Sequence, residues 1–288
     1  MTSVDYLAPT NVTDAVAALG AANGTARILA GGTDLLVQIR TGRLAPEKII
    51  DIKHIDETRT ITETETAFVI GAAVSGVEMS AHDSLSKTFP GIVEAMDLIG
   101  SQQIQGRASP GGNLCNASPA ADCVPAFIAS KATCTIAGPN GTRDVAVEDV
   151  VTAPGQTCLA QDEFVVSFTV PKPPVHSGDA YLRLIPRTEM DIAVVGAGVA
   201  LTVDETGTCT AARVALGAVA PTQVVVEDGA AALVGSKLDD AALDKLGAAA
   251  SAACNPIDDK RGTVAYRKKV AAVLAKRAAL KAYERAKA

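Results

Sequence analysis

Two places in this chain carry consecutive glycines, and they constrain the fold more than any other feature. The first is Ala30-Gly31-Gly32-Thr33-Asp34, directly after the short apolar run Arg27-Ile28-Leu29-Ala30. The second is Ser109-Pro110-Gly111-Gly112-Asn113, which runs on through Leu114-Cys115-Asn116-Ala117 to Ser118-Pro119-Ala120-Ala121-Asp122. Paired glycines let the backbone approach a neighbour closely and present successive N–H groups on one side. Such concave arrays of N–H groups bind phosphate oxygens without a cationic side chain. Thr33, Ser109 and Asn113 can add hydrogen bonds. Asp122, read as lying in the first turn of a following helix, can accept from a ribose hydroxyl. Two such loops, far apart in sequence, can together clamp a pyrophosphate. Neither matches Gly-x-Gly-x-x-Gly or Gly-x-x-x-x-Gly-Lys-Ser/Thr, so the standard dinucleotide and P-loop readings fail. A glycine pair after a strand is also commonly a plain turn.

Composition removes several function classes. The 288 residues include no Trp, five Phe and four Tyr, too few aromatics for a stacking platform for single-stranded nucleic acid. The net charge of −6 argues against a polyanion partner for the whole chain. His54, His82 and His176 are scattered, and no pair has metal-ligand spacing. Among the six cysteines no Cys-x-x-Cys occurs, so an iron–sulfur cluster held by this chain is disfavoured and small buried thiols are expected. The N-terminus shows no basic region followed by an apolar run, and the longest apolar runs are about half a membrane span. These features read as a cytoplasmic chain with neither a membrane span nor a nucleic-acid partner.

The chain length predicts about two domains. Thr13 reads as the N-cap of a first helix ending near Asn23-Gly24. Strands are expected at 27–30, 48–52 and 68–72, a small α/β unit. Apolar spacing at Ile92, Val93, Met96 and Ile99 predicts a helix. Ser118-Pro119 reads as the N-cap and first residue of another, running through Val124 to Ile128. Thr133–Ala137, Gly138-Pro139-Asn140-Gly141 and Thr142–Val147 read as a β-hairpin. Phe164–Val170 alternates as a strand and stops at Pro171-Lys172-Pro173-Pro174, the clearest connector in the chain. Beyond it, 180–185, 193–203 and 211–220 are strand-like, with Asp204–Gly207 as a turn. An Ala-rich helical region follows, and an amphipathic helix from Val264 to Ala286 closes the chain. The fold class is α+β, with domains at 1–174 (subdomains near 1–72 and 73–174) and 175–288.

With both loops in this order and spacing, the chain resembles the FAD-binding medium subunit of the molybdenum hydroxylases, the family of xanthine dehydrogenase and carbon monoxide dehydrogenase. The resemblance continues through Pro46–Ile52, Phe164–Pro171, Arg187–Ala193 and Tyr266-Arg267, and so spans essentially the whole chain. It implies a two-part FAD domain of the p-cresol methylhydroxylase type. A smaller α+β C-terminal domain follows, with a three-stranded antiparallel sheet and helices. It places Ile28, Leu29, Ala30, Gly31, Gly32, Thr33, Asp34 and Leu35 along the FAD diphosphate, together with Ser109, Gly111, Gly112 and Asn113. Asp122 falls on the ribose side. Ile99 and Val166 match flavin-contacting positions, Arg183 a basic residue near the flavin, and Ile192 a residue beside the isoalloxazine ring.

The resemblance further implies that this chain has no catalytic acid or base and no metal of its own. Molybdopterin and [2Fe–2S] clusters belong to a large and a small partner subunit, in a dimer of heterotrimers. Electrons leave through FAD to NAD, a quinone or oxygen. Two departures stand out. Pro110 occupies a position often Val or Ile in relatives, removing one N–H donor. The cysteine-rich insertion of one branch of the family is missing. A free-standing FAD-dependent oxidase or dehydrogenase and a non-enzymatic nucleotide-binding scaffold remain the alternatives. Ten Lys or Arg and one Glu fall in residues 260–288, a basic helix that reads as a solvated face or a docking face for an acidic partner.

Overall fold

The computed structural model describes residues 4–288. Three larger sheets stand in chain order, and a small two-stranded sheet pairs Val151–Ala153 with Gln156–Thr157. Asp5–Leu7, Lys48–Asp51 and Ala26–Leu29 form a parallel sheet with Lys48–Asp51 in the centre. The helix Val12–Ala21 covers it, burying Ala15 and Leu19 beside Ile50, Ile52 and Ile55. Its N-cap is Asn11 rather than Thr13: the Asn11 side chain accepts from the Asp14 N–H at 2.8 Å. The reach from Asn11 to the third helical residue matches the capping geometry of a short polar side chain.

The second sheet is antiparallel with five strands, in the order Ile61–Glu63, Ala67–Gly71, Phe164–Pro171, Thr133–Gly138, Gly141–Ala146. Phe164–Pro171 is central and reads as a nearly continuous apolar run because it is covered on both faces. The hairpin turns at Pro139-Asn140, with Gly138 paired to Gly141. Helices Pro90–Asp97 and Cys123–Ala129 pack into this core, where Phe127 and Phe168 approach to a ring separation of 4.8 Å. The helix predicted from Ser118 begins later, at Cys123. The Ser118 hydroxyl accepts instead from Ala120 N–H at 3.2 Å, closing a local turn, and the Asn113 side chain accepts from the Cys123 N–H. Asp122 therefore stands at the N-cap position, not in the first turn, and its side chain caps nothing.

The third sheet is antiparallel, ordered Ser177–Leu184, Val195–Val203, Cys209–Gly217, Val224–Val225. The two-residue edge strand Val224–Val225 adds to the three strands read from the sequence. One face of the sheet carries the helix Val264–Lys287 and the other lies on Cys123–Ala129, and glycines show how close both contacts are. A Cβ at Gly178 would lie 2.3 Å from the Ala282 carbonyl oxygen, and one at Gly198 would lie 2.5 Å from that of Pro125. Arg267, in the first turn of the last helix, is buried, donating to the Val194 carbonyl at 2.7 Å and to Asp259 at 2.7 Å. Among the described residues no helix is long and apolar enough to cross a membrane.

The contact at Gly198 joins the third sheet to the helix that follows the second glycine loop. Gly198→Ala drives a methyl group into backbone that cannot move aside, and is expected to cost about 1–3 kcal/mol. A melting curve that matches wild type would contradict this close contact.

Candidate functional site

The strand Ala26–Leu29 ends and the chain turns through Gly31-Gly32 into the helix Leu35–Arg40. Gly32 has φ +78, a left-handed conformation that glycine adopts without strain. Gly31 has a different reason to be glycine: a Cβ there would lie 1.8 Å from the Arg107 carbonyl oxygen. The two loops thus touch backbone to backbone. The second loop is seated in turn on the exit of strand Ala67–Gly71, where Gly111 N–H donates to the Ala72 carbonyl at 3.0 Å and Gly76 N–H to that of Ala108 at 3.0 Å. Gln38 on helix Leu35–Arg40 donates to the Asn116 side chain at 3.1 Å, bridging the two loops a second time.

Between them opens a cavity of about 520 Å³, within the usual range for ligand sites. Of the residues singled out from sequence, Ile28, Ala30, Gly31, Gly32, Thr33, Asp34, Leu35, Ile99, Ser109, Gly111, Gly112 and Asn113 line it. Ser109 caps the short helix Pro110–Cys115, accepting from Gly112 N–H at 3.2 Å. Pro110 sits at the first helical position, where a missing N–H costs no helical hydrogen bond. A Cβ at Gly112 would meet only the Ser109 hydroxyl, at 3.2 Å.

The chemistry of the lining is that of a backbone anion cradle. Among the described residues, the N–H groups of Gly32, Thr33, Asp34 and Leu35 have no backbone acceptor. The helices Leu35–Arg40 and Pro110–Cys115 both begin on the cavity, and their dipoles favour negative charge there. Arg27 is the only Lys or Arg among the lining residues; it is exposed, and its Nη1 donates to the Gly24 and Ala26 carbonyls. Lys53 steadies the first loop from behind, donating to the Ala30 carbonyl at 2.9 Å and pairing with Asp51 at 2.7 Å. A diphosphate fits this set of donors, and the apolar Ile28, Ile99 and Val165 fit a flat ring system. Cys115 also lines the cavity.

Five of the proposed residues lie off the lining. Leu29 packs beside Gly32, and Val166 is buried with its carbonyl accepting from Ala72 N–H at 2.9 Å, while its neighbours Phe164 and Val165 face the cavity. Asp122 and Arg183 pair with each other at 2.8 Å, and Tyr181 donates to the other Asp122 oxygen at 3.0 Å. Ile192 is exposed in the loop between Ser177–Leu184 and Val195–Val203. The lining also holds residues that sequence reasoning passed over: Gln38, Asn116, Gly155, Leu159 and Glu163. Asn116 lay inside the quoted second loop; the others carry no local signal.

Residues 2–173 match the model of the FAD binding domain in molybdopterin dehydrogenase, and residues 180–282 that of the CO dehydrogenase flavoprotein C-terminal domain. The chain belongs to the FAD-binding medium subunits of the molybdenum hydroxylases. The carbon monoxide dehydrogenase medium chain of Afipia carboxidovorans is 36% identical over 285 residues, 99% of this chain and 98% of that one. A putative xanthine dehydrogenase FAD-binding subunit of Escherichia coli is 32% identical over 204 residues, 70% of each chain. The crystal structure of Cu,Mo-CO dehydrogenase in a cyanide-inactivated form superposes with a TM-score of 0.93 at 35% identity, over 98% of both chains. This medium subunit therefore carries an FAD-binding domain and is an oxidoreductase component.

Two outcomes follow from this geometry. Gly112→Ala leaves the fold intact, since its methyl meets one hydroxyl, but places that methyl group in the cavity. A melting temperature near wild type with FAD affinity lowered on the order of tenfold is expected, by titration of the flavin-free chain. Burial raises the Asp122 carboxyl to about 6 against the opposing pull of Arg183 and Tyr181. The folded chain then binds this proton more tightly than the unfolded chain does, so stability falls as pH rises. Relative to Asp122→Asn, wild type is expected to lose on the order of 3 kcal/mol between about pH 4 and 7, measured by denaturation at each pH.

Proposed function

We propose that this subunit relays electrons from [2Fe–2S] clusters of a small partner subunit, through its FAD, to an external acceptor such as NAD, a quinone or oxygen. Substrate hydroxylation falls to the molybdopterin centre of a large partner subunit, and the assembly is a dimer of heterotrimers. The observation that carries this reading is the cavity itself, lined by two glycine loops whose free N–H groups suit a diphosphate. The relatives' names as medium chains and FAD-binding subunits of dehydrogenases support the division of labour. Six free thiols suit a cytoplasmic location.

FAD, when bound, supplies the redox chemistry, taking electrons from one partner and passing them to another. The chain's own residues bind and orient. The N–H groups of Gly32 to Leu35 and the turn at Ser109 to Asn113 would hold the diphosphate. Ile28, Ile99 and Val165 would wall the ring system and exclude water. In this reading residues 1–174 form the cradle, divided near 72. Residues 175–288 fasten on it through the contact of Gly198 with helix Cys123–Ala129.

The purified chain is expected to bind FAD and turn over no purine, aldehyde or other small substrate by itself. In the complete complex, substrate is expected to bleach the flavin absorbance, and adding acceptor to restore it. Substrate oxidation by the isolated flavin-loaded chain would establish a free-standing oxidase instead, and a chain that takes up no flavin would leave only a scaffold.

A further inference from the structure

The helix Val264–Lys287 has two faces, and the chain itself covers only one. Ala271, Leu274, Ala275, Ala278 and Ala282 are buried against the third sheet and the helix Asp240–Ala253. The opposite face looks outward. Tyr266, Lys269, Val273, Arg277 and Leu280 follow one another at three- and four-residue steps, the spacing of one stripe down a helix, and all are exposed. Tyr266 is 46% exposed, Val273 40% and Leu280 39%. Single exposed apolar side chains are ordinary on a protein surface. Three on one line, each seven residues from the next, form a seam of the kind that packs on another element. At the helical rise the seam runs about 21 Å.

The charges on this face are unbalanced. Residues 260–288 hold ten Lys or Arg and one Glu, in a chain of net charge −6. Elsewhere on the helix the cations have partners within the chain. Arg267 pairs with Asp259, Lys276 with Asp244, and Lys281 and Arg285 with Glu94. Among the described residues, Lys269 and Arg277 belong to no ion pair. They stand about 12 Å apart along the axis, one on either side of Val273. The helix's one acid, Glu284, lies a turn beyond Leu280.

Two other occupants suit this face poorly. A helix lying on a membrane spends a continuous apolar face on the lipid; here that face is buried, and three side chains separated by cations are left outside. In a second copy paired antiparallel about Val273, Tyr266 would meet Leu280, but Lys269 would meet Arg277.

We infer that this stripe docks an acidic surface of a partner subunit, whose aliphatic side chains cover Tyr266, Val273 and Leu280 and whose carboxylates meet Lys269 and Arg277. The inference rests on the reading that the chain works as one subunit of a complex, and adds which face is used and the chemistry of the surface it meets. The charges steer the encounter and fix its register, while the covered seam excludes water.

The test uses the flavin-loaded chain, alone and in its complete complex. Acetylation read by mass spectrometry is expected to modify Lys269 in the free chain and to spare it in the complex. A carbodiimide, which joins an amine to a carboxylate in contact with it, is expected to link Lys269 to an Asp or Glu of a partner subunit. Lys269→Glu combined with Arg277→Glu is expected to weaken assembly on the order of tenfold or more. Melting temperature and flavin content stay at wild type, since both side chains are exposed and unpaired. Equal acetylation of Lys269 in both forms, or full assembly by the double variant, would overturn the inference and leave the electron-relay reading standing. Attachment of the free chain to phosphatidylserine vesicles, abolished in the double variant, would give the face to a membrane. Dimerisation of the free chain, abolished in the same way, would give it to a second copy. Either result overturns the inference, and a chain found in no complex overturns both it and the relay reading.

Discussion

Everything else in the molecule is arranged around one backbone contact, that of Gly31 against the Arg107 carbonyl. A Cβ at Gly31 would lie 1.8 Å from that oxygen, so no other residue permits the approach. The contact holds the end of a parallel strand against the turn between the short helices Gln102–Gln105 and Pro110–Cys115, more than seventy residues downstream. Once these backbones touch, the two short helices that follow both start on the same cavity. Free N–H groups and the N-terminal ends of two helices then border one space, where Arg27 is the only lining cation.

The third sheet depends on this arrangement at one remove. Helix Cys123–Ala129 leaves the second loop with its first N–H held by the Asn113 side chain, and Gly198 packs on its Pro125 carbonyl. Asn113 therefore links the cradle to the sheet that packs behind it. The buried set Asp122, Tyr181 and Arg183 fills the same junction. A carboxylate and a guanidinium removed from water are stable there only as partners. They are bonded to each other away from the cavity, although Arg183 Nε, also buried there, has no hydrogen-bond partner.

Much of this was legible from residues close together in sequence. The glycine loops could be read because a glycine pair after an apolar run has few backbone uses. The Pro139-Asn140 hairpin, the connector at Pro171–Pro174 and the last helix likewise carry their signals locally. What escaped needed distant partners. Asp122 and Arg183, each a reasonable cofactor contact by position, meet 61 residues apart in sequence. Gln38 and Asn116 meet across 78. The helix after Ser118 starts late because a serine hydroxyl has two competing uses, a cap or a local turn, and here the Asn113 side chain takes the cap's role. At Val166 the irregular register between Val165 and Ser167 accompanies a change in which side chains face the cavity.

We propose that backbone N–H groups, not side-chain cations, hold the cofactor's diphosphate. It is tested most directly by an experimental structure of the flavin-loaded subunit. Phosphate oxygens are expected about 3 Å from the N–H nitrogens of the Gly32–Leu35 turn and of Gly112 or its neighbours in the second loop. A diphosphate held by lysine or arginine side chains, away from both glycine loops, would contradict it.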